Sequence, residues 1–95
     1  MPEFKGNINE YLSNNIKYPK KEQKNNITGT VYIKFIIERD GSISNVTVLK
    51  GVSGGPGLDA EAVSVISNMP KWRPGMQNGQ AVRVSYNIPI RFTLQ

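Results

Sequence analysis

Val82-Arg83-Val84-Ser85-Tyr86-Asn87-Ile88-Pro89-Ile90-Arg91-Phe92-Thr93-Leu94 alternates apolar and non-apolar side chains without a break. The even-numbered residues form an apolar face, Val82, Val84, Tyr86, Ile88, Ile90, Phe92 and Leu94, and the odd-numbered residues form a polar one. A period of two with one greasy side is the signature of a half-buried β-strand. Pro89 falls in the middle of the run on the polar register. Proline has no N–H to give to a ladder and is confined to edges, strand starts or bulges, so the run predicts a strand at the edge of its sheet. Such an edge carries an unpaired row of N–H and C=O groups on which another extended chain can dock.

Working outward from this strand, Ile27 to Glu38 alternates in the same way, with Ile27, Val31, Ile33, Phe35 and Ile37 on one face. Asp40-Gly41 supplies the backbone freedom of a tight turn, and Ile43 to Lys50 returns as a second strand. A two-residue turn predicts Val46 opposite Phe35 and Val48 opposite Ile33, which keeps one apolar face continuous. Between this hairpin and the final strand, Leu58, Ala62, Val65, Ile66 and Met69 make a helical stripe that Pro70 closes. Gly51 to Gly57 reads as a flexible linker, and Lys71 to Gln80, with Trp72, Pro74-Gly75 and Asn78-Gly79, as a turn-rich connection. Trp72 reads as a core plug.

The N-terminal part carries Ile8, Tyr11, Leu12 and Ile16 at helix-compatible spacing, with Asn7 or Asn9 as cap. Tyr18-Pro19 ends that helix, because the residue before proline is pushed out of the α region, and Pro19 opens a short second helix to about Asn25. The order predicts an α+β fold: a small antiparallel three-stranded sheet with helices packed on one face. The 95 residues form one domain, with a helical segment at 1–26 and the hairpin, helix and edge strand at 27–95. The final strand is expected to lay its apolar face on the helix of Leu58 to Met69.

Composition excludes several chemistries. The chain has no Cys and no His, which removes thiolate nucleophiles, disulfides, zinc sites built on those residues and Ser-His-Asp arrangements. The glycine-rich loop lacks the G-x-G-x-x-G spacing and is followed by no Gly-Lys-Ser or Gly-Lys-Thr, so it is not a phosphate cradle. Asp59 and Glu61 read as helix-start charges rather than a shared carboxylate site. No catalytic constellation, cofactor site or metal site emerges. No stretch reaches the roughly 18–20 apolar residues of a membrane span. A net charge of +5 raises nucleic-acid binding as an alternative, but only Tyr18 interleaves Lys17, Lys20, Lys21 and Lys24, a poor base-stacking platform. Nucleic acid is therefore not the expected partner.

An ordered set of short motifs spans nearly the whole chain: Asn15-Ile16-Lys17-Tyr18-Pro19, Gly29-Thr30-Val31-Tyr32-Ile33-Lys34-Phe35, Asp40-Gly41-Ser42-Ile43, Leu58-Asp59-Ala60-Glu61-Ala62, Met69-Pro70-Lys71-Trp72-Arg73-Pro74-Gly75 and Pro89-Ile90-Arg91-Phe92. This set resembles the C-terminal domain of TonB energy transducers. The second half, and Pro2-Glu3-Phe4 at the start, look like the Bacteroidetes version. Two positions depart from the pattern: Glu22 stands where members usually carry a small apolar residue, and Lys5-Gly6-Asn7 replaces the usual Pro-Gly-Gly.

The resemblance implies a non-enzymatic periplasmic module, tethered to the inner membrane through a segment upstream of this chain and driven there by proton-powered motor proteins. It implies capture of the TonB box of TonB-dependent outer-membrane receptors as an added strand, followed by transmission of force. The family's contact region before its Tyr-Pro maps onto Asn15, Lys17 and Tyr18. From the strand itself, a solvent-facing Pro89 assigns the outward backbone groups to the odd-numbered residues, so Arg83, Ser85, Asn87 and Arg91 join the candidate partner-binding set. The exposed edge also invites pairing with a second copy of the chain. An alternative that keeps the fold is the periplasmic sensor domain of a membrane-bound zinc-peptidase-type regulator.

Overall fold

A computed structural model describes residue 4 and residues 6–94. Pro2, Glu3 and Lys5 of the opening motifs lie outside the described residues. The elements run α1 (Ile8–Asn15), α2 (Lys20–Lys24), β1 (Gly29–Ile37), β2 (Ile43–Lys50), α3 (Pro56–Ser67), β3 (Gly75–Gln77), β4 (Gln80–Val82) and β5 (Val84–Phe92). Strands β2, β1 and β5 form one antiparallel sheet in that order, with the helices on one face. The α+β class and the three-stranded sheet are those the alternation predicts.

Strand β1 is central, and its inward residues Val31, Ile33, Phe35 and Ile37 are fully buried. They meet Leu58, Ala62, Val65 and Ile66 of α3, Leu12 of α1, and Ile88, Ile90 and Phe92 of β5 in one continuous core. Trp72 is indeed a core plug, 3% exposed. Its indole lies among the rings of Phe4, Phe35 and Tyr86 at centroid distances of 5.4, 5.8 and 5.2 Å. The indole N–H has no hydrogen-bond partner among the described residues, so ring contacts supply its surroundings.

The hairpin differs from a two-residue turn in an instructive way. Glu38 donates its N–H to the Ser42 carbonyl at 2.8 Å, which makes Arg39-Asp40-Gly41 a three-residue loop. That shifts the pairing by one residue, with Ile37 opposite Ile43 and Ile36 opposite Ser44. A bulge then shifts it back: Asn45 takes a positive φ of 51°, and beyond it Lys34 pairs with Thr47 and Ile33 with Val48. Val48 therefore lies opposite Ile33 as expected, whereas Phe35 faces the bulge instead of a single partner. Gly41 is required by both its φ of 87° and the backbone of Trp72, whose carbonyl oxygen would lie 2.0 Å from any Cβ there.

Three further expectations are corrected. The final strand begins at Val84, not Val82, because Val82 belongs to β4 and pairs with Gly75. The connection at 71–80 holds most of a hairpin: β3 and β4 join through Asn78-Gly79, both with positive φ (53° and 78°), the requirement of a type I′ turn. Finally, α3 lies mainly over β1 and β2; the apolar face of β5 shares the core with it but is also covered by Tyr18, edge-on to Phe92 at 5.6 Å, and by Trp72 against Tyr86.

The glycine-rich segment is a strapped turn, not a free linker. Helix α3 starts inside it, at Pro56, and Val52 donates its N–H to Asp59 Oδ1 at 3.0 Å. Glu22, unusual in sequence, is 3% exposed, and its Oε2 accepts the Gly57 N–H at 2.7 Å in the first turn of α3. The carboxylate thus satisfies one of the helix's unpaired donors and faces the positive end of its dipole. Space at this contact exists only because residue 57 lacks a side chain: a Cβ there would lie 2.5 Å from both carboxylate oxygens. Glu22→Ala is expected to cost about 1–3 kcal/mol in urea unfolding, with Glu22→Gln costing less because an amide oxygen still accepts. Gly57→Ala should destabilise the parent more than it destabilises the Glu22→Ala variant, where the clash is gone; equal losses in both backgrounds would refute the contact.

Candidate peptide-docking edge

The sheet has two outer strands, and they differ. Strand β2 carries two register shifts against β1, one at Asn45 and one between its pairings Ile33↔Val48 and Tyr32↔Lys50 that leaves Leu49 as the extra residue. Bulges twist an edge away from further pairing. Strand β5 pairs with β1 at nine successive positions, Gly29↔Phe92 to Ile37↔Val84, with no shift. Among the described residues it borders no other strand.

Proline fixes which way the free groups of β5 point. Pro89 lies opposite Tyr32, and without an N–H it occupies a non-hydrogen-bonded pair. Alternation then places Ser85, Asn87 and Arg91 in non-hydrogen-bonded pairs too, with their N–H and C=O groups directed away from β1. All three are exposed.

Arg83 does not share this geometry. It sits between β4 and β5 and its guanidinium grips Glu38 at the end of β1, Nε to Oε1 at 2.7 Å and one terminal NH2 to Oε2 at 3.3 Å. The Ser44 hydroxyl donates to the same carboxylate. This clamp fixes where the chain leaves the β3–β4 hairpin and enters the edge. It also holds the Glu38 carboxyl below the usual carboxylate range, chiefly through Arg83 and then Ser44, and raises Arg83 in return.

A groove of about 870 Å³ runs beside the other half of β5. Its walls include Leu12 and Ser13 of α1, Ile16 just past its end, Tyr18, and Pro89 and Phe92 of the strand. Tyr18 is held there by donating its hydroxyl hydrogen to the Ile27 carbonyl. Arg91 also lines the groove, from the exposed register of the strand, whereas Tyr18 packs on the buried register against Phe92. Asn15 lies instead in a shallow depression shared with Phe4, Tyr11 and Pro70, with its amide donated to the Tyr11 carbonyl at 2.8 Å. Lys17 gives its backbone N–H to Glu61 Oε2 at 2.9 Å, which fastens the end of α1 to α3. Leu12, Ser13 and Ile16 are groove residues outside the sequence's candidate set: the helical spacing of Leu12 and Ile16 predicts a packed face but not which strand it crosses, and nothing local singles out Ser13. Among the described residues no group of three His, Cys, Asp or Glu could hold a metal.

Comparison with known proteins agrees with this geometry. Residues 14–94 match the model of the Gram-negative bacterial TonB protein C-terminal family. The chain belongs to this family. The solution structure of the Helicobacter pylori TonB C-terminal domain, residues 179–285, superposes with a TM-score of 0.70 at 28% identity, over 93% of this chain and 78% of that one. A shorter form of the same domain, residues 194–285, gives 0.68 at 28% identity, over 90% and 88%. No curated protein matches the sequence. TonB C-terminal domains are non-enzymatic, transport-associated domains that interact with outer-membrane receptors, and the family places this one in the periplasm of a Gram-negative bacterium.

The clamp of this TonB domain predicts a pH dependence. Glu38 is depressed by Arg83 and Ser44, and Asp40 by Ser42, whose N–H and hydroxyl both donate to its Oδ1. A carboxyl whose folded pKa lies below its unfolded value stabilises the fold above the unfolded value and loses that contribution as pH falls through the folded one. Urea midpoints should therefore hold near neutrality and decline below about pH 4, the ordinary carboxylate range. Glu38→Gln should be less stable than the parent at pH 7 and show a shallower acid decline. A parent-like slope in that variant would exclude the clamp as a source of the pH dependence.

Proposed function

We propose that this domain captures an extended receptor segment, the TonB box of a TonB-dependent outer-membrane receptor, by adding it as a strand to the free edge of β5. The observation that carries the reading is the contrast between the sheet's two edges: β2 is twice bulged, whereas β5 is unbroken over nine pairs and lies beside a groove. Main-chain hydrogen bonds to Ser85 and Asn87 supply sequence-tolerant affinity, and the α1 wall with Tyr18 and Arg91 supplies side-chain selectivity. Pro89 leaves a gap in donors between these two halves. Affinity is modest, because the guest loses conformational freedom and the free edge is already hydrated.

In this reading the domain is tethered to the inner membrane through sequence preceding residue 1, where motor proteins harness proton flow. Load from that side enters through α1 and α2 and reaches β1, and the guest pulls on β5. The nine-pair β1–β5 ladder is then the element that resists shear.

Amide chemical-shift mapping with a TonB-box peptide tests the proposal. The largest changes are expected at residues 85–87 and along the groove at Leu12 to Tyr18. A response confined to residues 51–57 or to Lys20, Lys21 and Lys24 would overturn it. Pro89→Val restores a donor to the outward row and removes a guard against edge-to-edge pairing, so sedimentation should show more dimer than in the parent with little change in unfolding midpoint. Equal monomer content across concentration would count against the edge assignment.

A further inference from the structure

The face of the sheet opposite the helices has its own chemistry. The sequences of β1, β2 and β5, GTVYIKFII, ISNVTVLK and VSYNIPIRF, contain no Asp or Glu. They contain three cations, Lys34, Lys50 and Arg91, all exposed. Lys50 pairs with Tyr32, Lys34 lies two residues along β1 from Tyr32, and Arg91 pairs with Thr30, two residues the other way. With strands about 4.8 Å apart and alternate residues about 6.8 Å apart, the three charges surround Tyr32 within one small patch. None has an ion-pair partner among the described residues; the nearest acid in sequence, Glu38, is committed to Arg83. Tyr32 is 44% exposed and Leu49, in the bulge beside Lys50, is 54% exposed.

We propose that this open sheet face docks on an anionic phospholipid surface. Charge of one sign selects a polyanion over a second copy of the chain, whose identical face would repel it. Two of the three cations are lysines, compact charges on flexible stems, and no hydrogen bond fixes their heads among the described residues. That suits a fluid array of phosphates better than a carboxylate at one fixed position, and Arg91 adds a planar fork that matches phosphate oxygens equally well. Tyr32 and Leu49 stand among them as side chains able to enter the headgroup boundary while the lysine stems lie along it. The proposal goes beyond peptide capture and does not rest on it: Tyr32 and Arg91 also line the groove beside β5, but Lys34, Lys50 and Leu49 lie away from the free edge of that strand.

The experiment is co-sedimentation of the whole chain with vesicles of phosphatidylcholine alone and of phosphatidylcholine mixed equally with phosphatidylglycerol. Binding is expected only to the mixed vesicles and should weaken strongly between about 50 and 300 mM salt as charges are screened. Each lysine near an anionic surface contributes roughly fivefold in partitioning, so Lys34→Gln with Lys50→Gln should lower binding by about 25-fold. Leu49→Ser should lower it by a smaller factor at every salt concentration. Spin-labelled lipid should broaden amides at 32–34 and 47–50. Equal binding to neutral vesicles would overturn the proposal, as would loss of binding in Lys20→Gln/Lys21→Gln/Lys24→Gln but not in the sheet-face double variant. Binding to soluble polyglutamate without binding to vesicles would assign the face to an acidic protein segment and equally overturn it. Peptide mapping on the Lys34→Gln/Lys50→Gln variant separates the two activities: parent-like shifts at residues 85–87 are expected whatever happens at the vesicle.

Discussion

Strand β1 pairs with a neighbour along each of its sides and has one face wholly inside the core. Its four inward side chains, Val31, Ile33, Phe35 and Ile37, are fully buried, and each contributes about 1.5–3 kcal/mol relative to exposure. Every other element is placed by reference to this strand. Helix α3 lies over it and β2, and Trp72 packs on Phe35. Strand β5 matches it residue for residue over nine pairs. Because alternate residues of a strand face opposite ways, burying one face of β1 leaves Thr30, Tyr32, Lys34 and Ile36 on the other. The open face and its charge follow from that one constraint.

The helical layer is tied down by carboxylates acting on backbone N–H groups. Glu22 takes Gly57, Asp59 takes Val52 and Glu61 takes Lys17. Each ties a different segment to α3: α2 after Tyr18-Pro19, the glycine-rich connection and the end of α1 are all bound to it. In a domain this small, where core burial alone leaves little surplus, such charge-assisted bonds set where the short helices sit. Tyr11 adds a further tie, its hydroxyl donating to the Val65 carbonyl at 3.1 Å. The α1 wall of the groove is held by these contacts and by Leu12, so the shape of the candidate site depends on α3, which itself lies mainly over β1 and β2.

The contrast between the two outer strands shows how one sheet can keep one edge closed and the other open. Asn45 and Leu49 spoil the regularity of β2, and Lys50 charges its end. On β5 a single proline interrupts the donors but not the register. Unrestricted edges aggregate and fully guarded edges cannot accept a partner. A strand with one missing donor lies between these limits, which suits reversible capture of a short peptide.

Much of this was determined by sequence alone. Alternation in β1 and β5 set their buried faces, Pro89 marked the edge, and Asp40-Gly41 set the hairpin, because these signals are local. The ordered motifs identified the family. Tertiary structure decided the rest. The turn and the Asn45 bulge each add one residue and cancel, which no local pattern reports. Val82 reads as the same alternation as Val84, yet pairing with Gly75 takes it into a separate hairpin, and Arg83 is left between the two strands with its side chain on Glu38. Glu22 looks like a misplaced charge until the first turn of α3, 35 residues along the chain, brings it an N–H. The groove likewise joins α1 to a strand more than seventy residues away. Contacts of that range depend on how elements stack, and period and propensity carry information only about residues a few positions apart.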